Sequence, residues 1–364
     1  MPPLSALLIV SALLRGVAAL TPRQRFGASR RGQRMYVSGE ASATIVTSEY
    51  EYDGWRCSYR HRPAGPKGGS RPPLLLVHPI GIGMSGWFWE RLMSAYEGDD
   101  AAPAIYAPDL IGCGASTPWE PQERGLFLPL DYSRQCEQLW RVAIGEPCVV
   151  VTQGGLAPVG VLLASRMSDT WNGELGVERL ILASPPTWEE ISTDSDRAAA
   201  ARAFSAFASP LGAASYKLLQ LRAFVRFFSN LFLFDAVADE EWVEQCCTEA
   251  AQPSAQWPVF AFNAGIVGAR GYFDELVGAE QPVLLLEGAS DRRQRDGYAE
   301  NMRRCQRATI NEACNVLPYE QADATREAID RFCNTPLARL PRSGEGGPLD
   351  GLALKHLSAH HLPS

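Results

Sequence analysis

Residues 147–167 constrain the fold of this chain more than any other stretch. Val149–Val151 is a short β-branched run of the kind that forms a strand buried on both faces. It breaks at Gln153-Gly154-Gly155, and Leu156 to Met167 continues as an apolar run of helical length. Strand, sharp glycine turn, helix is the local form that presents the nucleophile of a G-x-S-x-G motif. The middle position here is Gly154, which has no side chain to attack with.

The flanking chain repeats the strand–helix alternation. Ala43 to Tyr52 and Trp55 to His61 read as two strands joined by Asp53-Gly54, a hairpin signal. Leu74 to His78 reads as a buried strand, followed by the loop Pro79-Ile80-Gly81-Ile82-Gly83 and an aromatic helix with Trp87, Phe88 and Trp89. Ile105 to Asp109 forms the next strand, and Tyr132 to Val142 a helix. After the central turn, Val177 to Ser184 is a strand, and residues 188–278 are helical and rich in Ala, Phe and Leu. Pro282 to Leu286 restores a strand, and a helix around 296–305, a strand at 308–310 and a helix at 321–333 close the domain. This order predicts an α/β fold: a mostly parallel central sheet, helices on both faces, and a helical cap inserted at 188–278.

Taken in order, several phrases identify a family resemblance. His78-Pro79 follows a strand; Asp109-x-x-Gly112-x-Gly114-x-Ser116 follows the next; then come the glycine elbow, the cap and Gly288-x-x-Asp291. Together they resemble the α/β-hydrolase fold over about residues 43–335. The phrase His-Pro-Ile-Gly and the glutamine-glycine elbow are similar to those of a cyanobacterial and plastid group of α/β-hydrolase-like proteins.

The resemblance implies a Ser, Asp or Glu, His triad. Its serine position falls on Gly154 and its acid on Asp291. Its histidine position, in the phrase Cys314-Asn315-Val316-Leu317-Pro318-Tyr319-Glu320, falls on Asn315. A serine hydroxyl needs a base to take its proton, and Asn takes none at neutral pH. Losing the nucleophile or the base costs on the order of 10⁶ in kcat, so triad hydrolysis is disfavoured. The resemblance also places an oxyanion hole on the backbone N–H groups of Gly155 and Ile80, beside the N-terminus of the following helix. Two readings of these positions fit. One is a nook for a carbonyl or carboxylate, with Gln153 as a possible amide donor. In the other, the glycines merely permit a tight turn and Gln153 satisfies backbone.

Other candidates read as structural. His78 ends a strand, where a hydrogen bond into the loop is the expected role. Asp109 is expected to fix the Gly112-x-Gly114 turn. Asp291, without a histidine to orient, is expected either to bond Asn315 or to sit in a solvated loop. Cys113 has no neighbouring His or Lys in the pattern to activate it.

Composition narrows partners and address. No run reaches the roughly 18 apolar residues of a spanning helix. Residues 1–19 read as a signal peptide ending at Val17-Ala18-Ala19, and residues 20–42 resemble a transit peptide, with five Arg before the first acid, Glu40. That order implies a plastid reached by a bipartite presequence; plain secretion with a basic tail is the alternative. Without residues 1–39 the 34 Lys and Arg fall by six to 28 against 41 acids, a net charge near −13 that argues against nucleic acid. The nine Cys include no C-x-x-C pair, and His78 is the one histidine between residues 62 and 355, so no metal is expected. Nothing in the residues calls for a cofactor.

In the cap, Leu221, Phe224, Phe228 and Leu231 recur at helical spacing, with Arg222 and Arg226 four apart. This face fits a lid over an apolar ligand, a peripheral membrane contact, or the cap's own core. Residues 336–364 read as a disordered tail.

Overall fold

The computed structural model describes residues 45–168 and 176–336, with the backbone of 353–354. The expected signal peptide, the transit-like segment and nearly all of the tail lie outside the described residues.

Among the described residues nine strands form one sheet, in chain order β1 (Val46–Tyr52), β2 (Trp55–Arg62), β3 (Leu74–Val77), β4 (Ile105–Pro108), β5 (Cys148–Gln153), β6 (Val177–Ala183), β7 (Val283–Gly288), β8 (Cys305–Ile310) and β9 (Ala353–Leu354). Their spatial order is β1-β2-β4-β3-β5-β6-β7-β8-β9. β1 and β2 pair antiparallel across a turn in which Asp53 and Gly54 both have positive φ, the geometry that matches strand twist. β2 also runs antiparallel to β4, and every pairing from β4 onward is parallel. Parallel strands need crossovers, and the helices that make them cover both faces.

Strand periodicity sorts the core cleanly. Leu75, Val77, Val150, Leu180, Leu182, Val283 and Leu285 join one buried cluster with residues of the Leu130–Leu139 and Ala157–Arg166 helices. Their neighbours Leu74, Leu76, Val149, Val151, Ile181, Leu284 and Leu286 join the other, with Leu92, Met93 and the Ala322–Asn334 helix. β3, β5 and β7 are buried at every residue, which is why their sequences run apolar without alternation.

Some boundaries differ from the sequence reading. The helix expected to reach residue 305 stops at Asn301, and β8 begins at Cys305 rather than 308. Cys305 pairs with Val283, so the sheet claims a polar stretch, Cys305-Gln306-Arg307, whose composition alone does not read as strand. Two residues in the tail, Ala353–Leu354, lie beside Thr309–Ile310 as the last strand.

Between β6 and β7 the chain forms seven α-helices, from Trp188–Ser192 to Phe273–Gly278. Of the face expected at Leu221, Phe224, Phe228 and Leu231, Phe224 and Phe228 stack on one another, half-buried, along the Arg222–Phe228 α-helix, which passes into a π-turn at Ser229–Leu233. Val225 is the buried residue, while Leu221 and Phe227 are exposed. Arg222 and Arg226 both pair with Glu240. No helix among the described residues is long and apolar enough to cross a membrane.

Candidate functional site

The site sits at the carboxyl ends of β3, β5 and β7, where crossing loops leave a crevice in a parallel sheet. β5 ends at Gln153, a single 3-10 turn covers Gly154–Leu156, and the Ala157–Arg166 helix follows with Pro158 in its first turn. Gly154 has φ +62°. Glycine takes this left-handed conformation without the Cβ penalty that a larger residue would carry. A Cβ built on Gly154 would meet no atom within 4 Å. The direction a side chain would take from this turn is therefore open space.

Gly155 is glycine for a different reason. A Cβ there would lie 2.3 Å from Cε2 of Phe262, on the Gln256–Asn263 helix of the insert. Among the described residues the Ile80 N–H, in the loop after β3, has no protein acceptor. The Pro79–Gly83 loop that carries Ile80 is pressed against the Glu240–Ala250 helix, since a Cβ on Gly83 would lie 2.0 Å from the Cys246 carbonyl.

Gln153 donates through Nε2 to the backbone carbonyl of Asn315 at 2.6 Å. The Asn315 N–H in turn donates to the Leu233 carbonyl at 2.9 Å. Glu320 accepts from the N–H of Cys314 at 2.8 Å and from that of Asp235. The loop carrying Asn315 is thus stitched to the elbow on one side and to the helical insert on the other.

Asp291 meets neither expectation: it does not bond Asn315, and it is not solvated. Its side chain is 6% exposed and ion-paired with Arg295 at 2.6 Å and Arg293 at 3.1 Å. Burial alone would raise this carboxyl, but the two guanidinium charges hold it below its ordinary value. Arg295, fully buried, also donates to the Pro185 carbonyl at 2.6 Å and pairs with Glu287 at 3.4 Å. Its several partners explain how a guanidinium tolerates burial. The sequence reading missed both arginines; the signal for them is the run Asp291-Arg292-Arg293-Gln294-Arg295.

Ile80, Gln153, Gly154, Gly155 and Asn315 all line one cavity of about 370 Å³, at the lower end of ligand-site volumes. Met84, Leu233, Trp242, Phe262 and Val267 make its walls mostly apolar, and Arg293 and Glu190 are its charged lining residues. Asp291 lies behind Arg293 rather than on the wall.

His78 is fully buried. Its Nε2 accepts from the Leu110 N–H at 3.0 Å and its Nδ1 donates to the Pro79 carbonyl at 2.8 Å. Burial pushes its imidazole down to about 4, which fixes the neutral tautomer. Asp109 accepts from the N–H groups of Gly86 at 2.7 Å and Ala115 at 2.9 Å, and pairs with Arg60 at 2.8 Å. Burial raises the Cys113 thiol well above its ordinary value, so it is no thiolate nucleophile at neutral pH. Among the described residues no cluster of three His, Cys, Asp or Glu could hold a metal.

Residues 74–328 match the model of the Alpha/beta hydrolase family. The chain belongs to the α/β-hydrolase family. No curated protein matches its sequence. Among solved structures, the epoxide hydrolase CorEH without ligand is similar, with a TM-score of 0.62 and 17% identity over 79% of this chain and 98% of that one. A haloalkane dehalogenase loop variant from Bradyrhizobium elkanii has a TM-score of 0.58 and 19% identity over 80% and 96% of the two chains. The 2-hydroxy-6-oxo-6-phenylhexa-2,4-dienoate hydrolase of Rhodococcus sp. strain RHA1 has a TM-score of 0.60 and 15% identity over 80% and 99%. At these identities the likeness is one of α/β-hydrolase fold.

Proposed function

We propose that this α/β-hydrolase-family chain is a pseudoenzyme that binds a small apolar carbonyl or carboxylate compound and does not run triad hydrolysis. The observation that carries this reading is Gly154: φ +62° at the head of the elbow, with open cavity where a nucleophile would project. The acid position supports it, because Asp291 is committed to two arginines. At the histidine position Asn315 has no proton-accepting side chain at neutral pH. What is left is a mostly apolar cavity with two backbone donors at its floor. In a catalytic version of such a frame these donors polarise a carbonyl, and here they serve to hold one.

An esterase-like enzyme of unusual mechanism is the competing reading, favoured by the retained Gly155 and Ile80 N–H groups. Native mass spectrometry of the protein purified from its own cells separates the two. The binding reading expects a noncovalent small molecule, released intact on denaturation, and a protein of unmodified mass. A covalent adduct, or a cleaved product in place of an intact ligand, overturns it.

A membrane surface is the weaker partner. Leu218, Leu221 and Phe227 are exposed, but the basic residues that would meet anionic headgroups, Arg222 and Arg226, are both engaged by Glu240. The plastid address and the kinship with plastid α/β-hydrolase-like proteins belong to the same proposal. Residues 1–39 fused to a fluorescent protein are expected to enter the plastid of an alga with a secondary plastid. Accumulation only in the medium or endoplasmic reticulum contradicts that address.

A further inference from the structure

Arg293 is the cation among the residues lining the cavity, and the acid-loop arrangement holds it there. Its Nε and Nη2 donate to the Asp291 carboxylate at 3.3 and 3.1 Å, and its backbone N–H donates to the same group at 3.1 Å. Nη1 has no acceptor among the described residues. Asp291 is shared with the buried Arg295, so it does not neutralise Arg293 alone. The other charged lining residue is Glu190. It is exposed, and its Oε2 is taken by the Thr187 N–H in a helix capping box. It forms no ion pair with Arg293 within 4.0 Å. Solvent therefore screens Glu190 more than it screens Arg293, whose side chain is 17% exposed.

We propose that Arg293 selects the ligand class: the cavity takes an apolar carboxylic acid, with the anionic head on the free Nη1 of Arg293. This rests on the reading of the cavity as a binding site. The physical reason is desolvation. A carboxylate leaves water only for a partner of opposite charge with hydrogen bonds to offer, whereas an ester or ketone needs neither. The Gly155 and Ile80 N–H groups suit a carbonyl oxygen of either kind and do not discriminate. The guanidinium does, and its two bonds to Asp291 restrain it before the ligand arrives, which reduces the ordering cost of binding. The apolar body then lies against Ile80, Met84, Leu233, Trp242 and Phe262.

The test is equilibrium dialysis of the full protein against straight-chain acids from hexanoate to dodecanoate and against their methyl esters. At least one acid should bind roughly tenfold tighter than its ester, the worth of one charge-assisted hydrogen bond. Arg293→Met should remove that preference, bringing acid and ester affinities to within a factor of about two of each other, while Arg293→Lys should keep most of it. Folding of each variant is checked by circular dichroism and thermal melting, and the wild-type comparison decides even if Arg293→Met fails to fold. Equal binding of acid and ester by the wild type, or a preference that survives in folded Arg293→Met, overturns the carboxylate assignment and leaves the cavity reading standing. No binding in either series overturns the cavity reading, and the assignment with it.

Discussion

Arg295 holds Asp291 at 2.6 Å from a guanidinium with no solvent exposure. In a working triad of this family the acid's partner is the catalytic histidine, which it orients and whose positive charge it stabilises. Here Asp291 pairs with two arginines instead, in an ion-pair cluster that runs on through Glu287 to Arg307.

This relationship sets what rebuilding the triad would achieve. Gly154→Ser is expected to fold, since its Cβ meets nothing, at a cost of about 1–2 kcal/mol for a side chain at positive φ. Alone it should show almost no esterase activity. Gly154→Ser with Asn315→His supplies nucleophile and base, and should hydrolyse small activated esters measurably above either single variant. It should still fall about 10⁴-fold short of a complete triad, because an imidazole without its acid takes the wrong tautomer. Adding Arg293→Ala, which frees one side of Asp291, should raise the rate again. Equal rates in the single, double and triple variants, with the fold intact, would show that Gly154, Asp291 and Asn315 are not the triad positions.

The mostly parallel sheet and the strand–turn–helix through residues 148–166 were legible because they rest on local pattern: uninterrupted apolar runs, glycine turns and their spacing. Gly154 declares itself in one letter. The fate of Asp291 was not legible, because the partners of a loop carboxylate depend on where neighbouring side chains turn. Arg293 and Arg295 lie two and four residues away and could equally have faced solvent. Phe262 over Gly155 was hidden for a related reason: the contact joins residues 107 positions apart and depends on how the helical insert settles on the sheet. The start of β8 was missed because sheet pairing, not composition, makes Cys305–Arg307 a strand.

His78 predicts a pH dependence of stability. Burial lowers its imidazole from 6.5 to about 4. Between those values the unfolded chain binds more protons than the folded one, so stability rises with pH. Acidification from about 6.5 towards 4 should remove up to ~3 kcal/mol through this group, with no contribution from it above neutrality. Urea midpoints across this range should fall more steeply for the wild type than for His78→Gln, which keeps an acceptor for the Leu110 N–H but does not titrate. Parallel slopes in the two proteins would show that His78 is not held neutral.

The central claim is that the elbow carries no nucleophile, and a serine-directed fluorophosphonate tests it most directly. The wild-type protein and Gly154→Ser/Asn315→His are incubated with the probe, digested, and read by mass spectrometry over every serine-containing peptide. The account predicts no adduct on the wild type, and on the double variant an adduct confined to the peptide spanning residues 148–166. Stoichiometric labelling of any serine in the wild-type protein would contradict it.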